Sequence, residues 1–370
     1  MIKLSSPQRF YLLDLLRVVA IFRVILWHWS HFSTIFGDSL STSQLPLYNV
    51  FYIFYKPYQA SIPFFFCVSG FTFFWLYSTR VADKKLSFRT FIIQRLSRLY
   101  PLHFTTLLLV VAGQIVYAHM TDTYFTYALF DVRHFVLNVL MISSWGFEKG
   151  FSFNGPAWLI SVMLLLYILF FVFCRLFHRN PVALVLMTLL GFFLASNVNQ
   201  FIGTGIKYFF LGGIIYLIYR RVIIQGDPWR ASTWLPAITL VCWVITLIWT
   251  NPFFDHARMS LGPVAKICVS YWAYIVLLPS TILAAALYET HSGPTGVKIS
   301  FLGERIYGMY LFHFPLQLFF AILAVGWGWG PEVFASVKFM VIFFAILFML
   351  ATISRRFLEL PAQNYLRSRI

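Results

Sequence analysis

The chain has 370 residues, of which 60% are hydrophobic and only 11% are charged. Soluble domains carry about 25% charged residues, so this composition excludes a soluble globular protein and predicts a polytopic protein in a lipid bilayer. The formal net charge of +16 is typical of Lys and Arg in cytoplasmic loops, and we predict no nucleic-acid partner.

The first predicted span, residues 11–32, is apolar enough to cross a bilayer but contains several ionisable side chains. They are Asp14, Arg17, Arg23, His28 and His31. At about 100° per residue, Arg17 and His28 lie almost on one line, about 16 Å apart along the axis. Asp14 and His31 fall on the same side, whereas Arg23 points well away. Charges are costly in hydrocarbon, so this polar stripe indicates a functional site. The alternative is that these groups only hold helices together, for example as an Asp14–Arg17 ion pair.

The second and third predicted spans each begin with a distinctive motif. Residues 63–71 enter the second span, where Gly70 allows another helix to approach closely. Arg95 and Arg98 stand at the mouth of the third span, at the end of a basic loop predicted over residues 80–98. Arginines at positions i and i+3 share a helix face, and two guanidinium groups side by side suit phosphate groups. The alternative is an ordinary positive-inside anchor.

Two later segments place polar side chains in apolar helices. Residues 154–163 open the fourth span, and residues 306–316 lie in a late span just before and around Pro315. The candidate side chains for an acceptor site or a structural role are Trp158, Ser161, Tyr167, Tyr310 and His313. A lone histidine in an apolar helix is as often a satisfied core residue as a functional one, and both interpretations of His313 stay open.

Apolar length predicts about ten transmembrane helices in one all-α bundle. The predicted spans are residues 11–32, 60–79, 97–118, 157–177, 181–198, 205–222, 234–250, 263–288, 302–325 and 333–354. Lys and Arg concentrate in alternate connections and in the C-terminal tail, so the positive-inside rule predicts that both termini are cytoplasmic. Arg17 then lies towards the cytoplasm and His28 in the outer half of the membrane. The outer loop 119–156 is predicted to contain a short amphipathic segment near His134–Trp145.

Taken together and in this order, the motifs resemble the acyltransferase 3 family of integral-membrane acyltransferases. The Arg-x10-His stripe matches at Arg17 and His28, and the Phe-Phe-x-x-Ser-Gly-Phe entry to the second span matches from Phe65 to Phe71. Further matches are Arg95, Arg98 and Pro101; Trp158, Ser161 and Tyr167; residues 307–316; and Glu359 with Pro361. The resemblance covers residues 8–366, which we expect to form one acyltransferase 3-like transmembrane domain without a separate soluble or hydrolase-like domain.

The resemblance implies the transfer of an acyl group, commonly acetyl, from cytoplasmic acyl-CoA to a hydroxyl of a sugar or lipid-linked glycan. Arg17, Arg95 and Arg98 are then expected to bind the phosphates of CoA, and His28 to deprotonate the acceptor hydroxyl. Asp14 is expected to orient Arg17. A transient acyl-histidine is an alternative route. We expect a location in the bacterial inner membrane, with the bilayer, acetyl-CoA or another acyl-CoA, and a glycan or glycolipid acceptor as partners.

The sequence also departs from the family pattern and leaves a rival function open. Many members carry an acidic residue in the fourth span, where this chain has Met163, so the acceptor site is the least secure part of the resemblance. The rival is a transporter or flippase of an anionic or lipid-linked substrate, since intramembrane histidines also relay protons there. The identity of the acceptor, the acyl chain length and the oligomeric state stay open.

Two patterns that imitate other kinds of site are interpreted as structural. Residues 37–40, Gly-Asp-Ser-Leu, and the pair Asp131 and His134 resemble parts of a soluble esterase, but they lie in outer loops separated by spans. The four cysteines, Cys67, Cys174, Cys242 and Cys268, lie in apolar segments without metal-ligand spacing. We interpret them as buried apolar side chains and predict no metal site.

Overall fold

The computed structural model of the protein describes residues 7, 9–37, 40–55, 61–225, 228–250, 254, 260, 262 and 271–369. Regular secondary structure in these residues is helical, as predicted, with one isolated bridge between Leu129 and Ser152. The α-helices are α1 Tyr11–Trp27, α2 Tyr48–Tyr55, α3 Ser61–Ala82, α4 Phe88–Thr121, α5 Val132–Val139, α6 Trp158–Phe177, α7 Pro181–Asn197, α8 Gln200–Gln225, α9 Pro228–Trp249, α10 Leu278–Ser292, α11 Ser300–Trp327, α12 Glu332–Ala335, α13 Val337–Ser354 and α14 Leu360–Arg367.

Eight helical segments in the described part of the chain are long and apolar enough to cross a membrane. They are Ser61–Ala82, Phe88–Thr121, Gly155–Phe177, Gln200–Gln225, Arg230–Trp249, Ala273–Ser292, Val297–Trp327 and Val337–Arg367. The two other predicted spans correspond to α1 and α7, which have 17 residues each. A 3-10 segment, His28–Phe36, extends α1. The beginning of the predicted span 263–288 lies outside the described residues.

The basic stretch predicted as the loop 80–98 is mostly helical, which corrects the sequence interpretation. Helix α3 runs to Ala82, and α4 begins at Phe88, where Ser87 Oγ caps the helix by accepting a hydrogen bond from the Thr90 amide at 3.1 Å. With 34 residues, α4 is about 51 Å long, well beyond the roughly 30 Å of bilayer hydrocarbon. Hydropathy detects only the apolar part of such a helix, so its basic first turns read as a loop.

Helix α1 has a buried carboxylate at its N-terminus, supplied by another helix. The residue before α1, Phe10, offers no side-chain cap. Instead, Glu289 at the end of α10 accepts hydrogen bonds from the Tyr11 and Leu12 amides at 2.9 and 3.0 Å, and its side chain is only 1% exposed. A negative charge here satisfies free N–H groups and complements the helix dipole. This contact fixes α1 against α10.

Close helix packing forms the wall of the bundle beside α1. A Cβ on Gly70 of α3 would overlap the carbonyl of Phe209 on α8, and one on Gly212 of α8 would overlap the carbonyl of Cys67. The prediction that Gly70 allows a close helix approach is therefore confirmed. Small residues of this kind let helices pack backbone to backbone in a membrane. Around them lies a large cluster of buried aromatic rings.

The two ends of the described chain meet at one end of the bundle. Arg9 binds both Asp14 and Glu304, at 2.8 and 3.2 Å, and Arg355 binds the same Glu304 at 3.1 Å. Helix α14 packs against the start of α4, where Arg367 Nε lies 3.4 Å from Ser97 Oγ. The segments near the two termini therefore lie on the same side of the spans.

Candidate active site

The polar stripe of α1 begins with an ordered ion pair. One terminal nitrogen of Arg17 lies 2.8 Å from Asp14 Oδ1, and the other donates to Thr72 Oγ1 at 2.8 Å. The other carboxylate oxygen of Asp14 accepts from Arg9. The expected contact between Asp14 and Arg17 is therefore present, and it holds the guanidinium between α1 and α3. This contact agrees with a helix-pairing role and with a binding role for Arg17.

The two arginines of α4 lie near Arg17 but have different surroundings. Arg95 donates to the Tyr77 hydroxyl at 2.9 Å and lies over the rings of Phe73, Tyr77 and Phe91 at 4.8 to 5.8 Å. Its Nε is buried and has no hydrogen-bond partner in the structure. Arg98 is exposed and donates no hydrogen bond to the described residues, although it interacts electrostatically with Arg17.

A fourth arginine joins this group from the C-terminal helix. Arg367 interacts electrostatically with Arg95 and Arg98. Four guanidinium groups from α1, α4 and α14 therefore meet at the end of the bundle that also holds the terminal segments. Like charges at this density repel each other, and they suit a ligand with several negative charges, such as a group of phosphates.

Ser161 lies near the start of α6 and Tyr167 at its middle, six residues further on, and the two side chains have different surroundings. The Tyr167 ring stacks on Phe73 at 4.8 Å, on the side of the arginines. Ser161 lies one to two turns away, where its hydroxyl accepts from the Ser144 amide at 3.1 Å and its carbonyl accepts from Trp145 at 3.0 Å. Ser161 therefore anchors the loop before α6.

At the other end of the stripe, the α-helix α1 is followed directly by a 3-10 helix. His28 is the first residue of the 3-10 segment that follows α1. Side chains at i and i+3 lie above one another in a 3-10 helix, so the ring of His31 comes to 4.8 Å from the ring of His28. The ring of His313 from α11 lies 5.1 Å from His28 on another side. Three imidazoles thus form a buried cluster.

Gln317 determines the tautomer of His31. Its amide nitrogen donates to the His28 carbonyl at 2.8 Å, so its oxygen must be the atom that faces His31 Nδ1 at 3.1 Å. His31 therefore carries its proton on Nδ1, and Nε2 accepts the Tyr127 hydroxyl at 3.4 Å. In any neutral imidazole, one ring nitrogen donates a hydrogen bond and the other accepts one.

Pro315 leaves a backbone carbonyl free in the helical turn that contains His313. Because proline has no N–H, the carbonyl of Leu311 loses its helical partner, and Asn154 Nδ2 donates to it at 3.1 Å. His313 Nδ1 faces the Tyr310 carbonyl at 2.5 Å and must be protonated, while Nε2 is buried without a hydrogen-bond partner in the structure. His313 is therefore not a fully satisfied core residue.

His28 is the member of the cluster that borders a cavity. A cavity of about 450 Å³ lies beside it. Its lining residues from α1, α3, α6, α8, α11 and the neighbouring segments are Arg23, Val24, Trp27, His28, Ser61, Ile62, Pro63, Phe151, Trp158, Gln200, Phe201, Thr204, Lys207, Tyr208, Tyr271, Tyr274 and Tyr310. His28 Nδ1 is buried near the Val24 carbonyl without a hydrogen bond of standard geometry. Proton transfer with a molecule in the cavity therefore falls to the other ring nitrogen, Nε2.

The cavity also accounts for three other candidates from the sequence. Trp158 and Tyr310 line it directly, and the Tyr310 hydroxyl donates to the Pro156 carbonyl. Arg23 lines it too, although its helical phase places it well away from the stripe. Positions 23, 24, 27 and 28 cover an arc of about 140°, and the cavity spans this whole arc, so both Arg23 and His28 reach it.

A second cavity, of about 260 Å³, lies next to the first. The two share Phe151, Trp158 and Phe201 as lining residues, and the ring of Trp158 lies 4.8 Å from that of Phe201. These three residues form an aromatic wall that borders both cavities. Such a wall suits the apolar faces of a sugar chain, while Asn138, Ser144 and other polar groups of the second cavity suit its hydroxyls.

Several contributors are not singled out by sequence patterns. Gln317, Arg367 and Glu289 act through residues far away in the chain, and only Gln317 has a local signal, its spacing of four residues after His313 on one helix face. Lys207 is a cation within an apolar span, which is itself a signal for a site. Met163, where the family resemblance leads us to expect an acidic residue, is buried and apolar.

The esterase-like pair in the outer loop has a structural role. Asp131 caps α5, a short helix that overlaps the start of the predicted amphipathic segment, and it accepts hydrogen bonds from the amide and the ring of His134 at 2.9 and 2.7 Å. These bonds keep the pKa of Asp131 below its usual value. Asp38 and Ser39 lie outside the described residues. Within the described residues, no group of three or more His, Cys, Asp or Glu side chains could hold a metal ion.

Comparison with known proteins connects this geometry to a family. Residues 10–354 match the family of acyltransferase domains named Acyl_transf_3. The chain is 25% identical over 282 residues, 69% of its length, to the acyltransferase MdmB of Streptomyces mycarofaciens, of which the match covers 67%. No solved structure gives a significant match. With an all-helical bundle and eight helices able to cross a membrane, the chain belongs to the acyltransferase 3 family of integral-membrane acyltransferases.

Proposed function

We propose that the protein transfers an acyl group, acetyl in the first instance, from cytoplasmic acyl-CoA to a hydroxyl of a surface or lipid-linked glycan, with His28 as general base. One observation carries this proposal. A single helix joins a group of four arginines to a histidine that borders an aromatic cavity. The distance along α1 from Arg17 to His28 is about 16 Å, which suits the extended pantetheine arm of CoA.

The arginine group is the proposed donor site. Arg98 is exposed and Arg95 has an unpartnered buried Nε, so both have donors to offer to phosphate oxygens. Arg17 is already held by Asp14 and Thr72, which makes it a fixed positive charge at the entrance. Arg367 lies within electrostatic reach of the two arginines of α4 and adds to the positive field. The positive-inside orientation would place this group on the cytoplasmic side, where acyl-CoA is made.

The chemical step needs one base and one leaving group. His28 Nε2 takes the proton of the acceptor hydroxyl while the oxygen of that hydroxyl attacks the carbonyl carbon of the thioester. The new C–O bond forms, the C–S bond breaks, and the CoA thiolate leaves with the proton that His28 gives back. The products are an ester on the glycan and free CoA. A neutral imidazole is required at the start.

The direct test is donor binding to the purified protein in detergent. Arg98→Ala removes an exposed guanidinium without breaking a hydrogen bond to the described residues. A lost charge-assisted contact of about 1.5–3 kcal/mol should weaken acetyl-CoA binding roughly 10- to 100-fold. It should raise KM for the donor with little change in kcat, because phosphate binding is common to ground and transition states.

Arg89→Ala is the matched control for this experiment. Arg89 is an exposed arginine near the start of the same helix, and its removal should leave donor affinity unchanged. Equal affinity in the Arg98 and Arg89 variants would refute the phosphate role of Arg98. A well-folded wild-type protein that binds no acetyl-CoA or longer acyl-CoA would refute the proposed donor.

A further inference from the structure

Lys207 is a cation of the cavity for which the proposed function gives no role. It lies in the second turn of α8, and its Nζ is 4.5 Å from the ring centres of Phe192 and Tyr208. A Cβ on Gly191 of α7 would overlap the backbone of Lys207, so α7 and α8 pack backbone to backbone at this residue. Lys207 is half-buried and has no carboxylate partner among the described residues.

The lining of the cavity is positive. Its charged side chains in the described part of the chain are Arg23 and Lys207, and no Asp or Glu lines it there. The adjoining second cavity contains one charge of each sign, Glu148 and Lys149. The aromatic rings stabilise the ammonium group of Lys207 in part, but a charge in a membrane span is still costly unless an anion compensates it. The first cavity therefore favours a ligand that brings a negative charge.

We propose that this cavity is the acceptor site and that the acceptor glycan carries an anionic group, a carboxylate or a phosphate, which Lys207 and Arg23 bind. The inference rests on the proposed function, since the cavity becomes an acceptor site only if His28 is the base on its wall. The aromatic side chains contact the sugar rings, the two cations bind the anionic group, and a hydroxyl of the same glycan faces His28. This arrangement selects acidic glycans over neutral ones.

The test compares three glycosides that differ only in the group at one position of the sugar ring. p-Nitrophenyl β-D-glucuronide carries a carboxylate where p-nitrophenyl β-D-glucoside carries a hydroxymethyl group, and the 6-phosphate of the glucoside adds a phosphate there. Binding of each is measured by calorimetry without any acyl donor. The wild-type protein should bind at least one of the two anionic glycosides about tenfold more tightly than the neutral one, as one charge-assisted contact provides.

Two substitutions separate the charge of Lys207 from its packing. Lys207→Met keeps an apolar chain of similar length and should abolish the preference for the anionic glycoside, whereas Lys207→Arg should retain it. Lys298→Met, at an exposed position, is the control for loss of one positive charge and should leave the preference intact. Thermal unfolding of each variant verifies that the fold is retained.

Three results would overturn the proposal. Equal binding of neutral and anionic glycosides would show that Lys207 serves only packing. A preference that survives in Lys207→Met would place the anion elsewhere. A preference that disappears when the protein is placed in nanodiscs of phosphatidylglycerol would assign the cations to a lipid headgroup. Acetyl-CoA binding on the same sample separates each of these from a failure of the proposed function, because donor binding requires the arginine group and not the cavity.

Discussion

At the scale of single residues, the histidine cluster distinguishes three imidazoles by their partners. His31 is held by Gln317 and Tyr127, and His313 by the Tyr310 carbonyl. His28 alone of the three borders the cavity. A general base must contact its substrate and must be neutral before the reaction. Among these three rings, only His28 borders the proposed acceptor cavity.

We expect His28→Ala to lower the rate of acyl transfer by about 10²–10⁴-fold, the usual contribution of a positioned acid or base. Binding of acetyl-CoA should be unchanged, because the phosphate contacts lie about 16 Å away along α1. Single-turnover transfer and donor binding measure the two quantities separately. His119→Ala, an exposed histidine at the end of α4, is the control. Wild-type transfer rates in the His28 variant would exclude the base.

The sequence identifies Arg17 and His28 and predicts the contact of Arg17 with Asp14, but not the contacts of these residues with other helices. Helical phase predicts one polar stripe because α1 is a regular helix up to Trp27. Phase alone does not show that Arg23 borders the same cavity as His28, because the shape of a cavity also depends on the neighbouring helices. Gln317 and Arg367 could not be assigned to the site from spacing, since their contacts join residues more than 250 positions apart in the chain.

At the scale of elements, α1 depends on other helices at both ends. Glu289 caps its beginning, and Gln317 holds the carbonyl of His28 where the α-helix becomes a 3-10 helix. A span with several ionisable side chains is a poor membrane helix by hydropathy. Contacts with α10 and α11 therefore stabilise α1 in the bundle, which its own composition would not do. They also fix the position of His28 beside the cavity.

Glu289→Ala should reduce the free energy of unfolding by about 1–3 kcal/mol, because the Tyr11 and Leu12 amides lose their carboxylate acceptor. Glu289→Gln should cost less, since an amide oxygen still accepts one of these bonds but carries no charge for the helix dipole. Denaturant titration in mixed micelles measures both. Glu332→Ala, an exposed glutamate in the first turn of α12, should have a much smaller effect. Equal costs for Glu289→Ala and Glu332→Ala would contradict the capping role.

Asn154 and Pro315 should be energetically coupled. Asn154 donates to the Leu311 carbonyl that Pro315 leaves free, so Asn154→Ala should cost about 1 kcal/mol or more in the wild type. In a Pro315→Ala background, the new amide can satisfy that carbonyl, and the same substitution should cost less. A double-mutant cycle measures the difference. Asn180→Ala, at the cap of α7, should be additive with Pro315→Ala. Additivity of Asn154 with Pro315 would show that the contact is incidental.

At the scale of the whole molecule, apolar length predicts the elements better than their ends. Most predicted spans coincide with helices, since burial in lipid requires both hydrophobicity and internally satisfied backbone groups. The helices extend past the apolar stretches, as α4 does by nine residues at its basic start. This difference matters for the proposed donor site, because Arg95 in the extension and Arg98 just after it then lie on one rigid helix. A rigid helix holds two guanidinium groups at fixed spacing, which a loop would not.

The cavity could not be predicted at all from the sequence. Its lining comes from α1, α3, α6, α8, α11 and the segment near Tyr271, and no local pattern states which helices are neighbours. The sequence does show aromatic residues near the ends of these helices, and they resemble an interfacial belt. Packing converts some of these belt residues into the wall of a site. Trp158 is an example, since it is half-buried against Phe201 and lines both cavities.

The orientation of the bundle follows from charge and can be tested with two cysteines. Arg89→Cys lies in the basic start of α4, and Val132→Cys lies at the start of α5, where the native side chain is 79% exposed. The positive-inside rule places the first in the cytoplasm and the second outside. In right-side-out vesicles, a membrane-impermeant maleimide should therefore label Val132→Cys at once and Arg89→Cys only after permeabilisation. The unsubstituted protein is the control for Cys67 and Cys174, which are buried, and for the other native thiols. The reverse labelling pattern would put the arginine group outside the cell, away from acyl-CoA, and would refute the proposed direction of transfer.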